Sequence, residues 1–119
     1  MIPHPYTLDT IREAAPRFIW LPEGKNGCIA KVVAGYTLEV GWFYTDGRTL
    51  VSVVAQCPGW SQGGTAYEPG LRQLQEMLRG ALRHIDRHLE WRQRAMDDWR
   101  AQVERSMSLE PAVEVPWEG

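Results

Sequence analysis

Four side chains in this sequence have the donor types of a zinc site: Cys28, Cys57, His84 and His88. Histidines four residues apart on a helix point the same way and can share one ion. Two thiolates would then complete a tetrahedral Cys2His2 set. A second constellation is basic. Arg79, Arg83 and Arg87 recur every four residues, with Arg72 and Arg94 nearby. Such a ridge, joined by the aromatic Trp60, is the minimum equipment for binding nucleic acid through phosphate charge and base stacking. A third is the pair Gly63-Gly64 ahead of a helix, the kind of segment that cradles a phosphate. Whether any of these assembles depends on the elements that carry the residues.

The hydrophobic pattern changes period along the chain. Met1 to Tyr6, with Pro3 and Pro5, reads as an extended arm. Thr7 to Thr10 supplies helix starters, and Leu8, Ile11 and Ala15 recur at helical spacing until Pro16. From there to Cys57 the pattern favours strands: Arg17 to Leu21, Gly27 to Val33, Tyr36 to Tyr44 and Arg48 to Cys57. In the third, Tyr36, Leu38, Val40, Trp42 and Tyr44 alternate with Thr37, Glu39 and Gly41. That is the signature of a sheet with one buried face. Asp46-Gly47 then gives a two-residue hairpin turn and so a register. It sets Trp42 opposite Val51, Val40 opposite Val53, Leu38 opposite Ala55 and Tyr36 opposite Cys57. All four pairs are apolar, and a one-residue slip would mix the faces.

Pro58 to Gly70 reads as a loop, with Trp60 and Tyr67 exposed. Thr65 to Glu68 fits a capping box, and Pro69 a first-turn proline. A long helix follows, from about Pro69 to about Ser106. Its apolar stripe is Leu71, Leu74, Leu78, Leu82, Ile85, Leu89, Met96, Trp99 and Val103, with Arg92 at its centre. The expected fold class is α+β: a short N-terminal helix, a four-stranded antiparallel meander, and one long amphipathic C-terminal helix. The helix is either continuous or broken near Gly80. Residues 1–107 are read as one domain, and 108–119 as an acidic, flexible tail.

The register bears on the metal site. With Lys31 outward beside Glu39, Cys28 falls near Val40, while Cys57 lies opposite Tyr36. These places are four residues apart along the strands and two strands apart laterally, more than ~14 Å. The reading is no metal, no disulfide and no cofactor. The glycine pair lacks the surrounding P-loop or dinucleotide pattern and is assigned to a surface loop. No serine or cysteine sits in a nucleophile elbow, and Glu39, Asp46 and Glu68 have no evident partner base. The chain is therefore expected not to be an enzyme.

Composition limits the remaining classes. The chain is 119 residues, 44% hydrophobic, with a net charge of -2, so it is not built as a whole to attract polyanions. Between Leu71 and Arg105 eight arginines face six acids. A solvated, salt-bridged face is thus preferred over a nucleic-acid ridge. No long apolar run predicts a membrane span. The start of the chain lacks the features of a signal peptide, and two cysteines make no disulfide framework, so a cytoplasmic setting is expected.

Helix length gives the strongest functional pointer. About 38 residues span ~57 Å, whereas a domain of this size is ~35 Å across. The stripe should outrun the core. The expected interaction surface is therefore Trp91, Arg92, Met96, Trp99, Arg100 and Val103, which would bind a protein partner or a second copy. Trp20, Trp60, Trp91 and Trp117 are further candidates for exposed contacts, with a core position the alternative for Trp20. The expected function is a small protein-binding regulator or inhibitor, of the economical kind encoded by phages and plasmids, acting alone or as a homodimer. A nucleic-acid module using Arg72, Arg79, Arg83, Arg87 and Trp60 is the alternative. A small-molecule site between sheet and helix comes third.

Overall fold

The computed structural model of the protein describes residues 6–109, with side chains through residue 107. Residues 1–5 of the expected arm (1–6) and 110–119 of the expected acidic tail (108–119) lie outside the described residues, while Ser108 and Leu109, expected in the tail, belong to the long helix. The chain divides into two units, one ending at Asp86 and the other beginning at Arg87.

In the first unit, α1 (Leu8–Ala14) starts where the sequence places it. The Thr7 hydroxyl accepts from the Thr10 backbone N–H, and the Thr10 side chain accepts from the Thr7 N–H. Two otherwise unpaired backbone donors are satisfied in this way. Past Pro16 the expected first strand is largely absent: only β1 (Leu21–Pro22) pairs, with Leu21 opposite Ile29 and Pro22 opposite Cys28. The segment before it turns after Pro16 and carries Trp20 inward. Trp20 is 2% exposed, and its indole N–H donates to the Ala15 carbonyl at 3.0 Å. Trp20 is thus a core residue and not an exposed contact.

β2 (Gly27–Lys31), β3 (Thr37–Thr45) and β4 (Arg48–Cys57) follow in an antiparallel meander. The β3–β4 ladder pairs Trp42 with Val51, Val40 with Val53 and Leu38 with Ala55, the register read from the sequence. Asp46 and Gly47 both take positive φ, 49° and 74°. This is the backbone of a type I′ turn, whose twist matches that of the strands. Cys28 faces Val40, as expected. Lys31 pairs with Thr37, and Glu39 with Ile29.

The sheet has five strands where four were expected. The segment read as a loop contains β5 (Trp60–Tyr67), antiparallel to β4. Pro58-Gly59 makes the turn, with Gly59 at φ 84°. Proline followed by glycine suits a type II turn, which needs positive φ at its second central residue and commonly has proline at the first. Gly63 and Gly64 are strand residues, and Thr65 to Tyr67 pair with β4 instead of capping a helix. α2 (Leu71–Leu109) begins just after Pro69 and Gly70 and runs as one element through Gly80.

One face of the sheet is buried: Tyr36, Leu38, Val40, Trp42, Val51, Val53, Ala55, Cys28 and Ala30 are at most 4% exposed. Ile11 and Ala14 of α1, and Leu74, Leu78, Ala81 and Ile85 of α2, complete this core. Each of the larger aliphatic side chains contributes about 1.5–3 kcal/mol by leaving water. Leu71, expected in the stripe, is instead 45% exposed in the first helical turn. The Tyr6 hydroxyl donates to the Pro69 carbonyl at 2.5 Å and ties the chain's beginning to the start of α2. The other sheet face carries Phe43 and Tyr67, at 54% and 45% exposure.

Candidate protein-interaction surface

The second unit contains α2 from Arg87 onward. Its sequence suits a helix: from Arg87 to Leu109 there is no glycine or proline, and most residues are strong helix formers. Local pairs brace it. Glu90 and Arg94 approach at 3.7 Å, and the Gln93 amide donates to Asp97 at 3.3 Å. Pairs at this spacing are worth a few tenths of a kcal/mol each.

The proposed contact residues lie on this helix, and most are in water. Trp91 is 61% exposed, Met96 51% and Trp99 60%. Arg92 and Arg100 are exposed as well, while Val103 is half-buried. Met107, at the far end of the same segment, is 65% exposed. Trp91 differs from the others: its ring lies against the His88 imidazole, with centroids 5.5 Å apart and planes tilted by 31°. Met96, Trp99 and Met107 are large apolar groups in contact with solvent. Exposed apolar residues scattered singly are normal, whereas contiguous apolar patches are commoner at sites of interaction.

The basic ridge is less well assembled. Arg72, Arg79 and Arg83 are exposed in the first unit, and Arg87 in the second. Arg79 is held by Glu76 at 2.5 Å, so part of its charge is neutralised on the same helix. Trp60 packs edge-on against Tyr36, with centroids 5.7 Å apart, and is half-buried. That ring is partly engaged by the core and is not a free stacking platform. Tyr67 is exposed, as expected, but Arg48 lies over its ring at 3.9 Å.

Among the described residues no group of three His, Cys, Asp or Glu side chains could hold a metal ion. Cys28 is fully buried, and burial pushes its thiol pKa up to about 12. The Glu23 charge adds to the rise, and Arg12 opposes it. Cys57 is paired with Trp60 on the other side of the sheet's centre. Neither a thiolate cluster nor a disulfide forms; both cysteines are free.

Cavities exist beside the sheet in the first unit. One of about 180 Å³ lies between β5 and α2, lined by Gly64, Met77, Gly80 and His84. Another of about 330 Å³ lies between Phe18 and Leu78 and is flanked by Arg17 and Arg79. Drug-sized ligands usually occupy enclosed sites of roughly 300–1,000 Å³, and both of these cavities are open to solvent. No described helix is long and apolar enough to cross a membrane. Comparison with protein-family models, curated proteins and solved structures finds no match.

Proposed function

We propose that this chain is a small, non-enzymatic protein-binding regulator or inhibitor that works through the distal part of α2. The observation that carries the reading is the exposure of Met96 and Trp99 at 51% and 60%, one turn apart on a single helix face. Holding two large apolar groups in water forgoes burial worth about 1.5–3 kcal/mol each. A partner that covers them recovers this energy, and tryptophan is among the residues that most often dominate such contacts.

Size-exclusion chromatography with light scattering tests this directly, alongside a Trp99→Glu variant. The wild type is expected to form an assembly, with itself or with a purified partner, that the variant loses while keeping its helical circular dichroism. An assembly unaffected by Trp99→Glu would overturn the reading. A gel shift with RNA or duplex DNA addresses the arginine ridge. Binding that weakens steeply with salt and is insensitive to Trp99 would favour the nucleic-acid alternative.

A further inference from the structure

We propose that β5 is a docking edge for an extended peptide from another protein, which adds a sixth strand to the sheet and places one leucine- or phenylalanine-sized side chain in the cavity between β5 and α2. This site is separate from distal α2 and uses residues of the first unit alone.

The edge supplies the backbone part of the argument. Among the described residues no strand lies beyond β5, which pairs with β4 on its other side. The Glu68 N–H donates to the Thr49 carbonyl at 2.7 Å, and hydrogen-bonded pairs alternate along an antiparallel ladder. Gln62, Gly64 and Ala66 therefore turn their backbone groups toward β4, while Ser61, Gly63, Thr65 and Tyr67 turn theirs outward. These four residues are exposed. Another extended backbone offers donors and acceptors at the matching spacing. Sheet edges are usually blunted by charge, proline or short length. The opposite edge follows that rule, since β1 is two residues long and contains Pro22. β5 has eight residues, with no charge and no proline.

The cavity supplies the side-chain part. Its volume is about 180 Å³, and it opens beside this edge between Val53 and Gly64 of the sheet and Met77, Gly80, Ala81 and His84 of α2. Gly64 pairs with the buried Val53, so it faces α2. A β-carbon on Gly64 would meet nothing within 4 Å, and one on Gly80 would meet only the Arg83 guanidinium at 3.8 Å. Neither glycine has positive φ. Glycine weakens the interiors of strands and helices. Two glycines that neither backbone nor packing requires thus border one space and leave it empty. A cavity of about 150 Å³ with an apolar lining takes up benzene, so this space suits a single large apolar side chain. A second copy of β5 does not supply one. The residues on this face of β5 are Trp60, Gln62, Gly64 and Ala66; Trp60 packs against Tyr36, and the others are polar or small.

Selection of short random peptides by the full chain tests this, with Gly64→Leu and Thr65→Pro for comparison. Gly64→Leu fills the cavity from within. Thr65→Pro removes an outward N–H that β4 does not use, a place where an edge strand accepts proline. Circular dichroism checks that both variants fold. Selected peptides should carry one leucine or phenylalanine among strand formers. Each variant should weaken their binding by about tenfold or more, as loss of a central contact does. Binding to the wild type should slow amide exchange at Ser61, Gly63, Thr65 and Tyr67 and leave Gln62, Gly64 and Ala66 unchanged. That pattern stands as a test even if a variant misfolds. Failure to select any peptide, or binding untouched by Thr65→Pro, would overturn strand addition. Weakening by Thr65→Pro but not by Gly64→Leu would overturn the cavity's part in recognition. A dimer of this chain that Thr65→Pro abolishes would overturn the choice of a foreign peptide and make a second copy the occupant.

Discussion

Gly63 sits so close to the neighbouring strand that a β-carbon built on it would stand 2.4 Å from the Val53 carbonyl oxygen. Val54, its register partner, would be met at 3.0 Å. The next residue, Gly64, has nothing within 4 Å of the same point. Adjacent glycines in one strand therefore have opposite roles.

Gly63→Ala should force β5 away from β4 and cost about 2 kcal/mol or more, in the range of overpacked sites. Gly64→Ala should be neutral or stabilising by up to ~1 kcal/mol, because glycine weakens a strand interior. Urea unfolding of the two variants checks the contrast. Equal effects would mean that the close approach at Gly63 is not held in solution.

Ala34 is expected to respond in the opposite way. It sits at φ 48° in the turn before Tyr36, whose N–H donates to the Val33 carbonyl at 2.9 Å. An L-residue with a β-carbon pays roughly 1–2 kcal/mol for left-handed backbone. Ala34→Gly should therefore raise stability by about 0.5–1 kcal/mol after the added freedom of the unfolded chain is subtracted. A lower melting temperature would show that the turn is held differently.

Glu39 gives the fold a dependence on pH. Its carboxyl lies on the open sheet face, where Gln56 donates a hydrogen bond to it. A hydrogen bond with Glu23 raises its pKa above the usual carboxylate value, and burial and the Glu23 charge add to the rise. The folded state thus holds this proton more tightly than the unfolded state. Stability from this source is fully present below the unfolded carboxylate range and is lost as pH rises through the folded pKa. Glu39→Gln should raise the melting temperature at pH 7 and lose its advantage near pH 4. A benefit that is constant with pH would rule out the shared proton.

Thiol labelling separates the cysteines. Cys28 is 0% exposed, with its pKa raised to about 12, whereas Cys57 is partly exposed. The reactive species is the thiolate. Native protein at pH 8 should therefore react with Ellman's reagent at one site, and protein in urea at two. Rapid reaction of both sites in the native state would place Cys28 outside the core.

Local physics made part of this protein legible from its sequence. Strict alternation in β3, with Asp46-Gly47 after it, determined a hairpin register, since a slip by one residue would turn every apolar side chain over. The same register kept Cys28 and Cys57 apart and so argued against the zinc site. Thr7 announced α1, and the three-and-four spacing announced α2. Along the distal helix the candidate surface could be read as well, because helical periodicity places Met96, Trp99 and Val103 on one face whatever surrounds them. Other features depended on residues distant in sequence. β5 is rich in glycine and weak in strand propensity; it exists because β4 offers a complete ladder and because Gly63 lets the backbones approach. The Pro58-Gly59 turn was the available signal for that strand. Trp20 is apolar by type, but its burial follows from the bend after α1 and from the Ala15 carbonyl placed to accept its N–H. Periodicity alone does not distinguish a residue that finds a neighbour from one left in water, and the tertiary structure made that distinction between Ile85 and Trp99.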